Sequence, residues 1–438
     1  MPLLATDLEL TRHSYYAATA MRPRPMPPLQ ENTSCDVAVV GGGLSGLSAA
    51  LELRQRGFSV VLLEARELGF GASGRNGGQA IHGLACDQST IEAQLGLGDA
   101  KRVWDMSIEA LSLLRQRIAQ HQIQCDWQDG YLCLATSRGK ARALRTWAER
   151  MGRVYGYPLR HIPQQELGRW ISSPRFCGGV HDPLSGHLHP LKYTLALAQA
   201  AKTAGVRIHE GTAVTGLVQG SSPVLRTAGG EVRARQVLLA GNVYLQGVVP
   251  ALEQRIMPVG TYIACSEILS PRLAHSLIPG REAVCDTNFV LDYFRTTVDN
   301  RMLYGGRVSY STVTPSDLRG ALRRRMLRTF PQLKQVQVQY AWGGFVDISM
   351  NRAPDFGRLP AVGPQAQGNI YYLQGFSGHG LALSGLAGRL VAEAMGGDAS
   401  RFDVFARLRH RRFPGGTRFR MPALVLGMAW YRLRDLLA

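Results

Sequence analysis

The length, composition and charge of the chain set the first limits on its class. At 438 residues, 45% of them hydrophobic, it is long enough for two domains or one composite domain with a sizeable core. Its longest apolar stretches have the length of β-strands, so no transmembrane helix is predicted. The N-terminal segment 1–32 lacks the layout of a signal peptide, and a cytoplasmic location is therefore expected.

The net charge of +18 does not by itself indicate a nucleic-acid or membrane partner. The arginines are spread along the chain and no recognition motif accompanies them, so no nucleic-acid partner is predicted. The seven cysteines are scattered and form no Cys-x-x-Cys pair, which argues against a zinc site or a redox dithiol. Free thiols in a reducing compartment are the expected state.

After an N-terminal arm, residues 1–34, the first chemically informative pattern begins. The apolar run 37–40 has the character of a buried parallel strand and ends in a glycine-rich turn, Gly41 to Gly46, before a helical pattern. Such glycines allow a tight turn, the close approach of a pyrophosphate, and close packing of helix on strand. The residues assigned to this phosphate site are Gly41, Gly43, Leu44, Ser45 and Gly46. The pattern predicts a dinucleotide site.

A second apolar strand, 58–63, supports that prediction because it delivers Glu64. This carboxylate lies about 20 residues beyond the glycines, where a ribose-binding acid is expected. Ala65 and Arg66 follow it and are assigned to the same site.

The loop 69–79 contains too many glycines for the interior of a helix or a strand. It directly follows the ribose-binding strand, so it is expected to pass close to the bound dinucleotide. The residues predicted to contact the cofactor there are Gly71, Ala72, Ser73, Arg75, Asn76, Gly77, Gly78 and Gln79.

The middle of the chain alternates between helical and strand patterns. Helices are predicted at 89–125, 141–151 and 164–168, and a strand at 131–135. The following segment, 178–190, is rich in glycine and proline and carries three histidines, His181, His187 and His189. Loop or cofactor-facing histidines are favoured there over a metal site, because no carboxylate spacing completes a ligand set. No metal is predicted.

A second βαβ-like element is expected to return the chain to the first sheet. It comprises a helix at 191–204 and strands at 206–210, 213–218, 224–228 and 236–241, with a hairpin turn at Gly229-Gly230. Val214, Ala240 and Gly241, in or at the end of these strands, are included among the cofactor-binding candidates.

The character of the sequence changes between 250 and about 345. Strand patterns at 261–268, 289–296, 302–304 and 336–340 surround a helix at about 316–329, which predicts a mixed sheet with antiparallel strands in a separate substrate domain.

A third strand, glycine turn and helix follows at 369–395, and its turn carries Gly378, His379 and Gly380. An amphipathic run, 423–437, is expected to dock on the protein itself.

Three separated glycine turns favour FAD over a nicotinamide cofactor, which needs only one. Reduction places negative charge on one edge of the flavin ring, and N–H groups of Gly378, His379 and Gly380 at a helix N-terminus could stabilise it. His379 could add a donor.

The motifs together resemble the D-amino-acid-oxidase superfamily of FAD-dependent oxidoreductases. They are Asp36-Val with Gly41-Gly-Gly-x-x-Gly46, Leu63-Glu-Ala65, the 69–79 loop and Gly375-Phe-Ser-Gly-His-Gly380. Within the superfamily, the chain is similar to the γ-glutamylputrescine oxidase subfamily nearly end to end. Further points of likeness are Ser14-Tyr-Tyr-Ala-Ala18, Gly186-His-Leu-His-Pro190, Ala240-Gly-Asn-x-Tyr244, Leu291-Asp-Tyr293, Asp299-Asn-Arg301, Tyr304-Gly-Gly306, Phe330-Pro-Gln-Leu-Lys334 and Phe413-Pro-Gly-Gly416.

The resemblance implies an α/β fold in which a Rossmann-like FAD-binding domain is interleaved with a mixed α+β substrate domain. The discontinuous FAD-binding domain is assigned to 35–88, 160–249 and 345–438, and the substrate domain to 89–159 and 250–344.

The implied reaction is oxidative deamination of a γ-glutamylated polyamine such as γ-glutamylputrescine to the aldehyde, with release of ammonia and hydrogen peroxide. Molecular oxygen is the expected electron acceptor, although the stretch 251–301 has no lysine to help activate it. No catalytic base is assigned, because the chemistry needs positioning and a neutral amine above all.

The substrate residues are predicted more loosely. Tyr293, Tyr304, Trp342 and Phe345 are candidates for an aromatic wall around the alkylamine, with a place in the domain core as the competing interpretation. Asp292 or Asp347 is a candidate for a distal ammonium group and Arg307 for the glutamyl carboxylate.

Two other functions stay open. One is an FAD oxidase or dehydrogenase of a small amino acid such as glycine, sarcosine or a D-amino acid. The other is a basic flavoprotein that binds membranes or nucleic acid without catalysis. The sequence leaves open whether FAD is covalently linked, and it does not indicate the oligomeric state.

Overall fold

The fold is described by a computed structural model that covers residues 13–245, 247–306, 316–361 and 368–416. The helices are α1 (Tyr15–Thr19), α2 (Leu44–Gln55), α3 (Gln88–Gln120), α4 (Arg138–Tyr155), α5 (Pro190–Thr203), α6 (Pro250–Glu253), α7 (Pro271–Leu277), α8 (Leu318–Thr329), α9 (Gly380–Met395) and α10 (Phe402–Ala406). The strands are β1 (Thr33–Val40), β2 (Val60–Leu63), β3 (Gln79–Ala80), β4 (Gln128–Ala135), β5 (Arg160–Ile162), β6 (Gly178–His187), β7 (Arg207–His209), β8 (Gly216–Val218), β9 (Val224–Arg226), β10 (Glu231–Leu239), β11 (Ile256–Ser266), β12 (Ala283–Asp286), β13 (Asp292–Thr296), β14 (Met302–Gly306), β15 (Val338–Ser349), β16 (Asp355–Arg358) and β17 (Ile370–Gln374).

The first sheet has the strand order β16-β17-β10-β1-β2-β7, and the β8–β9 hairpin extends it from β10. Pairing is parallel from β17 through β10, β1 and β2 to β7, whereas β16 is an antiparallel edge strand. The central strands are uninterrupted apolar runs, such as 60–63 in β2, because both faces of a parallel sheet are covered.

The second sheet has the order β15-β11-β14-β13-β12-β4-β6-β3, with β5 paired to β6. Strands β11 to β15 pair antiparallel with one another, which confirms the antiparallel strands predicted for residues 250–345. One parallel pairing, between β12 and β4, joins this part to the strands from the first half of the chain. The α/β fold class with two sheets is therefore confirmed.

The segment 178–190 differs from the prediction, because most of it is the long strand β6 and not a loop. Its glycines reflect close strand pairing. A Cβ at Gly179 would lie 2.8 Å from the carbonyl oxygen of Cys133, and one at Gly186 would lie 2.4 Å from that of Gln128. The predicted amphipathic run 423–437 lies outside the described residues.

Sheet membership differs from the predicted domain assignment in β3, which lies within the predicted FAD-binding segment 35–88 but belongs to the second sheet, and in β5 and β6. The sequence assigned residues 160–249 to the FAD-binding domain, but β5 and β6, which cover 160–162 and 178–187, belong to the second sheet. The pairing of β6 with β4 explains the difference, since β4 had been placed in the substrate domain, and β5 in turn pairs with β6. The division into domains otherwise stays a prediction. Within the described ranges, no helix is long and apolar enough to cross a bilayer.

Helices α2 and α9 pack so closely that a Cβ at Gly388 would lie 2.5 Å from the Cβ of Ser48. Beside this contact the buried carboxylate of Glu52 binds three arginines. Arg117 from α3 and Arg389 from α9 each donate to Oε1 at 3.0 Å, and Arg56 donates to Oε2 at 2.6 Å. Burial raises the pKa of Glu52, but the arginines outweigh that effect and lower it overall. One ionised side chain therefore joins three helices.

Replacing Glu52 by glutamine should lower the free energy of unfolding by about 3 kcal/mol, because buried Arg117 loses its counter-charge. The pKa of Glu52 is depressed in the folded protein, so its contribution is present at neutral pH and is lost as the pH falls below about 4. Urea unfolding of the FAD-loaded protein measures both effects. The exposed pair Arg145–Glu149 provides the control, since E149Q should leave the unfolding curve unchanged. Equal curves for E52Q and the wild type would contradict the prediction.

Candidate active site

Parallel pairing brings three glycine-rich turns that are distant in sequence, 41–46, 69–79 and 375–380, to one edge of the first sheet. Val40, at the end of β1, lies in register with Leu63 at the end of β2 and with Leu239 at the end of β10. Leu239 in turn pairs with the parallel strand β17, in register with Tyr372. The turns that follow these strands therefore meet at the carboxyl edge of the sheet, where ligands bind in open α/β sheets.

The first turn is shaped by the absence of side chains. Gly41 has φ +115°, and a Cβ there would lie 2.6 Å from the carbonyl oxygen of Ala240. A Cβ at Gly43 would lie 2.8 Å from Ser73 Oγ, and one at Gly46 only 2.0 Å from the Gly41 oxygen. Gly43 is the N-cap of α2 and supplies no side-chain cap. The N–H groups of the first helical turn thus face a groove that is lined by glycine backbone and by the hydroxyl of Ser73.

Glu64 lies directly beside this turn. Its Oε2 accepts a hydrogen bond from the N–H of Gly42 at 2.7 Å, and its Oε1 accepts one from the N–H of Arg66 at 2.9 Å. Burial raises the pKa of the carboxyl, and these backbone donors oppose the rise. Ala65 and Val214 are half-buried near it, whereas Arg66 is exposed. The predicted ribose carboxylate is therefore brought to the predicted phosphate turn.

The 69–79 loop runs along the same groove. Ser73, in a 3₁₀ turn at 72–74, accepts a hydrogen bond at 2.9 Å from the N–H of Leu44 in α2. Asn76 folds the loop by donating to the carbonyl of Ala72 at 2.9 Å and accepting from the N–H of Gly78 at 2.8 Å. Gly71, Ala72 and Gly77 are half-buried in the groove.

Two side chains of this loop point elsewhere. The guanidinium of Arg75 is buried and lies 4.3 Å from the centre of the Phe70 ring. The backbone oxygen of Arg75 accepts a hydrogen bond from Trp342 Nε1 at 3.0 Å. The amide of Gln79 donates to the carbonyl of Val284 at 3.0 Å. These two residues connect the loop to the second sheet.

The third turn has an open backbone, since Gly378 is exposed with φ +85° and nothing within 4 Å of a Cβ there. Asp347, predicted as a possible ammonium ligand, instead holds this turn by accepting hydrogen bonds from the N–H groups of Gly375 and Phe376. Burial raises the pKa of Asp347 to about 6. His379, predicted as a cofactor donor, donates from Nε2 to the carbonyl of His82 at 2.8 Å. Burial lowers the pKa of His379 to about 4, which keeps the ring neutral at pH 7.

These residues fit a dinucleotide with a ring system at its far end. Helices α2 and α9 both begin at the groove, and neither N-cap residue makes a side-chain hydrogen bond. Ser73 accepts a hydrogen bond from the N–H of Leu44, and the other N–H groups of the two first turns are available to anionic groups. A Cβ at Gly41 or Gly43 would fill the groove. When bound, FAD would supply a two-electron acceptor at this edge.

The three histidines of 178–190 are placed apart. His187 Nε2 donates to the carbonyl of Arg281 at 2.8 Å, while His189 Nδ1 caps α5 by accepting from the N–H of Lys192 at 3.2 Å. Burial lowers the pKa of both rings. His181 packs against Trp170 on another part of the second sheet. In the described part of the chain, no three potential ligands are grouped as a metal site.

The structure does not bring the four predicted substrate aromatics together. In the β13–β14 register, Tyr293 faces Gly305 and Phe294 faces Tyr304, so Tyr293 and Tyr304 lie on opposite faces of the second sheet. Tyr304 is fully buried and stacks on Phe294 at 5.3 Å. Tyr293 and Trp342 both reach the cofactor loop. A Cβ at Gly77 would lie 2.6 Å from the Tyr293 ring, whereas Trp342 bonds the Arg75 carbonyl from a buried position.

Trp342 and Phe345 are also buried core residues, three positions apart on β15 and hence on opposite faces. Asp292 lies on the Tyr304 face, where it binds Arg175 at 2.6 Å and Arg325 at 2.7 Å. Successive side chains of a β-strand point to opposite faces of the sheet, and this alternation separates the candidates. Residue type alone does not show on which face a side chain lies. Arg307 lies outside the described residues.

Sequence reasoning missed two residues at this edge. Asn242, with φ +54°, continues the turn after β10, and Tyr244 lies against the loop, 3.1 Å from the Cβ position of Gly71. It also missed His82, three positions after Gln79. The motif Ala240-Gly-Asn-x-Tyr244 contained the signal for the first two.

Comparison with known proteins agrees with this geometry. The family model of FAD dependent oxidoreductases matches residues 36–394. The chain belongs to this family. It is an FAD-dependent oxidoreductase, and the sequence-based prediction of the family and the cofactor is confirmed.

The chain is 44% identical over 429 residues to gamma-glutamylputrescine oxidoreductase of Escherichia coli strain K12, covering 97% of this chain and 99% of that protein. It is 38% identical to the probable oxidoreductase OrdL of Haemophilus influenzae, covering 96% and 97%. The crystal structure of glycine oxidase from Geobacillus kaustophilus has the same fold, with a TM-score of 0.70 at 22% identity over 86% of this chain and 99% of that one.

Replacing Gly43 by valine should weaken FAD binding at least about tenfold, because the new side chain would fill the groove beside Ser73. The φ of Gly43 is −87°, so the change adds bulk without backbone strain. Flavin-to-protein absorbance after purification and fluorescence titration of apoprotein measure the effect. Gly98 in α3 has open space around it, and G98A is the matched control that should bind FAD normally. Full FAD occupancy in G43V would contradict the assignment of the phosphate turn.

Proposed function

We propose that this FAD-dependent oxidoreductase oxidatively deaminates a γ-glutamylated polyamine, with γ-glutamylputrescine as the first substrate to test. The products would be the aldehyde, ammonia and hydrogen peroxide. The observation that carries the proposal is the 44% identity, over nearly the whole of both chains, to an enzyme named for γ-glutamylputrescine. Molecular oxygen as the electron acceptor and a cytoplasmic location are parts of the proposal, the latter supported by the free cysteines.

A patch on the cofactor-facing side of the second sheet supports an alkylamine substrate. Tyr131, Cys285 and Ala283 form a small buried cluster there, and partly exposed apolar side chains pack against it. The partly exposed members are Ile81, Cys133, Leu291 and Tyr293. These side chains carry no net charge at neutral pH, since burial raises the pKa of Tyr131, Cys133, Cys285 and Tyr293. We call this set the apolar patch, and we propose that it contacts the substrate methylenes.

The proposed cofactor residues are those of the three turns. The pyrophosphate would lie at Gly41 to Gly46, the ribose beside Glu64, and the flavin ring near the turn of Gly378. Breaking a C–H bond of the carbon that bears the neutral amine removes a hydride, which FAD would accept, and leaves a protonated imine; water converts the imine to aldehyde and ammonia. The chain's task is to hold the amine unprotonated and its carbon close to the flavin.

A panel of amines tests the proposal. Under anaerobic conditions γ-glutamylputrescine should bleach the flavin, while putrescine, glycine, sarcosine and D-amino acids should not. Admission of oxygen should then return the flavin spectrum and release peroxide and ammonia in equal amounts. Bleaching by glycine or a D-amino acid but not by glutamylated amines would favour the second candidate, an FAD oxidase or dehydrogenase of a small amino acid. Glycine oxidase, which has the same fold, belongs to that class. Strong, salt-sensitive retention on anionic lipid or DNA without turnover would favour the non-catalytic candidate.

Tyr293 and Tyr304 provide a matched pair for the apolar patch. Tyr293→Leu should raise KM about tenfold through lost aromatic contact, with little change in the free energy of unfolding. Tyr304→Phe removes a hydroxyl that bonds Thr329 at 2.8 Å on the opposite face, so it should cost about 1 kcal/mol of stability and leave KM unchanged. Steady-state kinetics and urea unfolding separate the two. A raised KM in Y304F and a normal one in Y293L would reverse the assignment of the sheet faces.

A further inference from the structure

A buried histidine–aspartate pair lies beside the third turn and belongs to none of the cofactor contacts described. His82 Nδ1 and Asp182 Oδ2 are 2.6 Å apart, and the side chains are 11% and 1% exposed. Asp182 also accepts hydrogen bonds from the hydroxyls of Tyr157 and Ser185 and from the N–H of Leu184. Burial raises the pKa of Asp182, but the bonds from His82 and the other donors outweigh it and lower the pKa to about 2. The carboxylate is therefore ionised at neutral pH.

An ionised acceptor at Nδ1 determines which ring nitrogen of His82 carries the proton. With Nδ1–H directed at Asp182, the lone pair of the neutral ring is on Nε2. Among the described residues, no group forms a hydrogen bond with His82 Nε2. The atom is also absent from the fully buried polar atoms of these residues that lack a partner, so it is accessible to solvent. The free lone pair thus reaches the exposed part of the ring.

Aromatic side chains enclose the ring on its other sides. His82 stacks on Trp147 with ring centres 5.9 Å apart, and Trp104 and Tyr157 lie at 5.7 and 5.1 Å. Rings of this kind are a favourable environment for a cation, because each presents a negative face. The surrounding rings and the ionised Asp182 would therefore stabilise a positive charge placed on this ring.

The pair also lies at the proposed flavin end of the groove. The backbone oxygen of His82 accepts the hydrogen bond from His379 at the start of α9. The preceding residue, Ile81, belongs to the apolar patch, and the ring of Tyr131, also in the patch, is 6.2 Å from that of His82. His82 thus connects the turn assigned to the flavin with the surface assigned to the substrate chain.

We propose that His82 Nε2 accepts the proton that the substrate ammonium must lose before its carbon is oxidised. The N–H bond of the ammonium breaks, an Nε2–H bond forms, and the two electrons of the broken bond remain on the substrate nitrogen as its lone pair. The imidazolium is then stabilised by Asp182 and returns its proton to water. His82 acts here as a catalytic base and Asp182 as a positioning residue. The inference rests on the proposed amine substrate but not on which amine it is.

The phenols around His82 do not offer a competing base, and the neutral ring of His379 uses its Nε2 to bond the His82 carbonyl. Burial raises the pKa of Tyr157 and of Tyr131, so both phenols stay protonated. The helices α3 and α4 contribute the indole rings of Trp104 and Trp147. The charged groups further out include Arg115, which acts on Tyr157, and Arg352, which acts on His379. The ion pair Glu92–Arg150 also borders this cluster, because Glu92 bonds the hydroxyl of Tyr155, which packs on Trp104.

The test is the pH dependence of anaerobic flavin reduction at saturating γ-glutamylputrescine, or at the panel amine that reduces the wild type if that differs. At pH 7, His82→Gln should slow reduction about 100-fold. The deficit should disappear as the pH approaches about 10, where the amine loses its proton unaided. A structural role would slow reduction equally at every pH. His181→Gln, on the same strand as Asp182 but packed against Trp170, is the matched control and should follow the wild-type profile.

A second measurement does not depend on turnover. ¹⁵N-histidine NMR of the wild type should show His82, identified by its absence in H82Q, as the Nδ1–H tautomer. Asp182→Asn should mix the two tautomers and reduce the rate at pH 7 by less than H82Q does. An Nε2–H tautomer in the wild type, or a wild-type rate that rises only near pH 10, would overturn the proposal even if H82Q failed to fold. A wild type that no amine reduces would instead overturn the proposed function.

Discussion

Strand β10 pairs with β1 on one side and with β17 on the other, and both pairings are parallel. Parallel strands end at the same edge, so this central strand brings turns from the beginning, the middle and the end of the chain to one groove. The groove then needs close packing behind it, which small residues provide: Gly46 against Gly41, and Gly388 against Ser48. Helices α2 and α9 can therefore start side by side, with their positive ends at the same place.

The ionised cluster around Glu52 lies behind that groove, at the far ends of the same helices. It couples three helices that are separated in sequence, since Glu52 lies in α2, Arg117 in α3 and Arg389 in α9, while Arg56 directly follows α2. Because a helix is rigid, fixing one part of it fixes the rest. The cluster and the glycine contacts together therefore determine where the first N–H groups of α2 and α9 lie. The cofactor groove is thus held by packing and charge at a distance from the groove.

Local patterns were enough to predict the cofactor half of the molecule. The turn at Gly41, the acid at Glu64 and the strand before Gly375 are each short motifs whose backbone requirements are local, and the structure places all three at one edge. The substrate half was predicted less well, because its surfaces depend on register. Tyr293 and Tyr304 are indistinguishable by residue type, yet strand pairing places them on opposite faces. His82 and Asp182 are 100 residues apart, and no local pattern predicts their contact.

The docking of α1 has a consequence for the order in which the chain can fold. Tyr16 packs on Trp342 at 5.1 Å and on His189 at 4.7 Å, and its hydroxyl accepts a hydrogen bond from Arg295. Arg295 also binds the carbonyl of Gly77 in the cofactor loop. The first described helix is therefore made early on the ribosome but gains its partners only after most of the chain has been synthesised. Until then the rings of Tyr15 and Tyr16 lack the partners that bury them in the folded protein, so this segment docks late in folding.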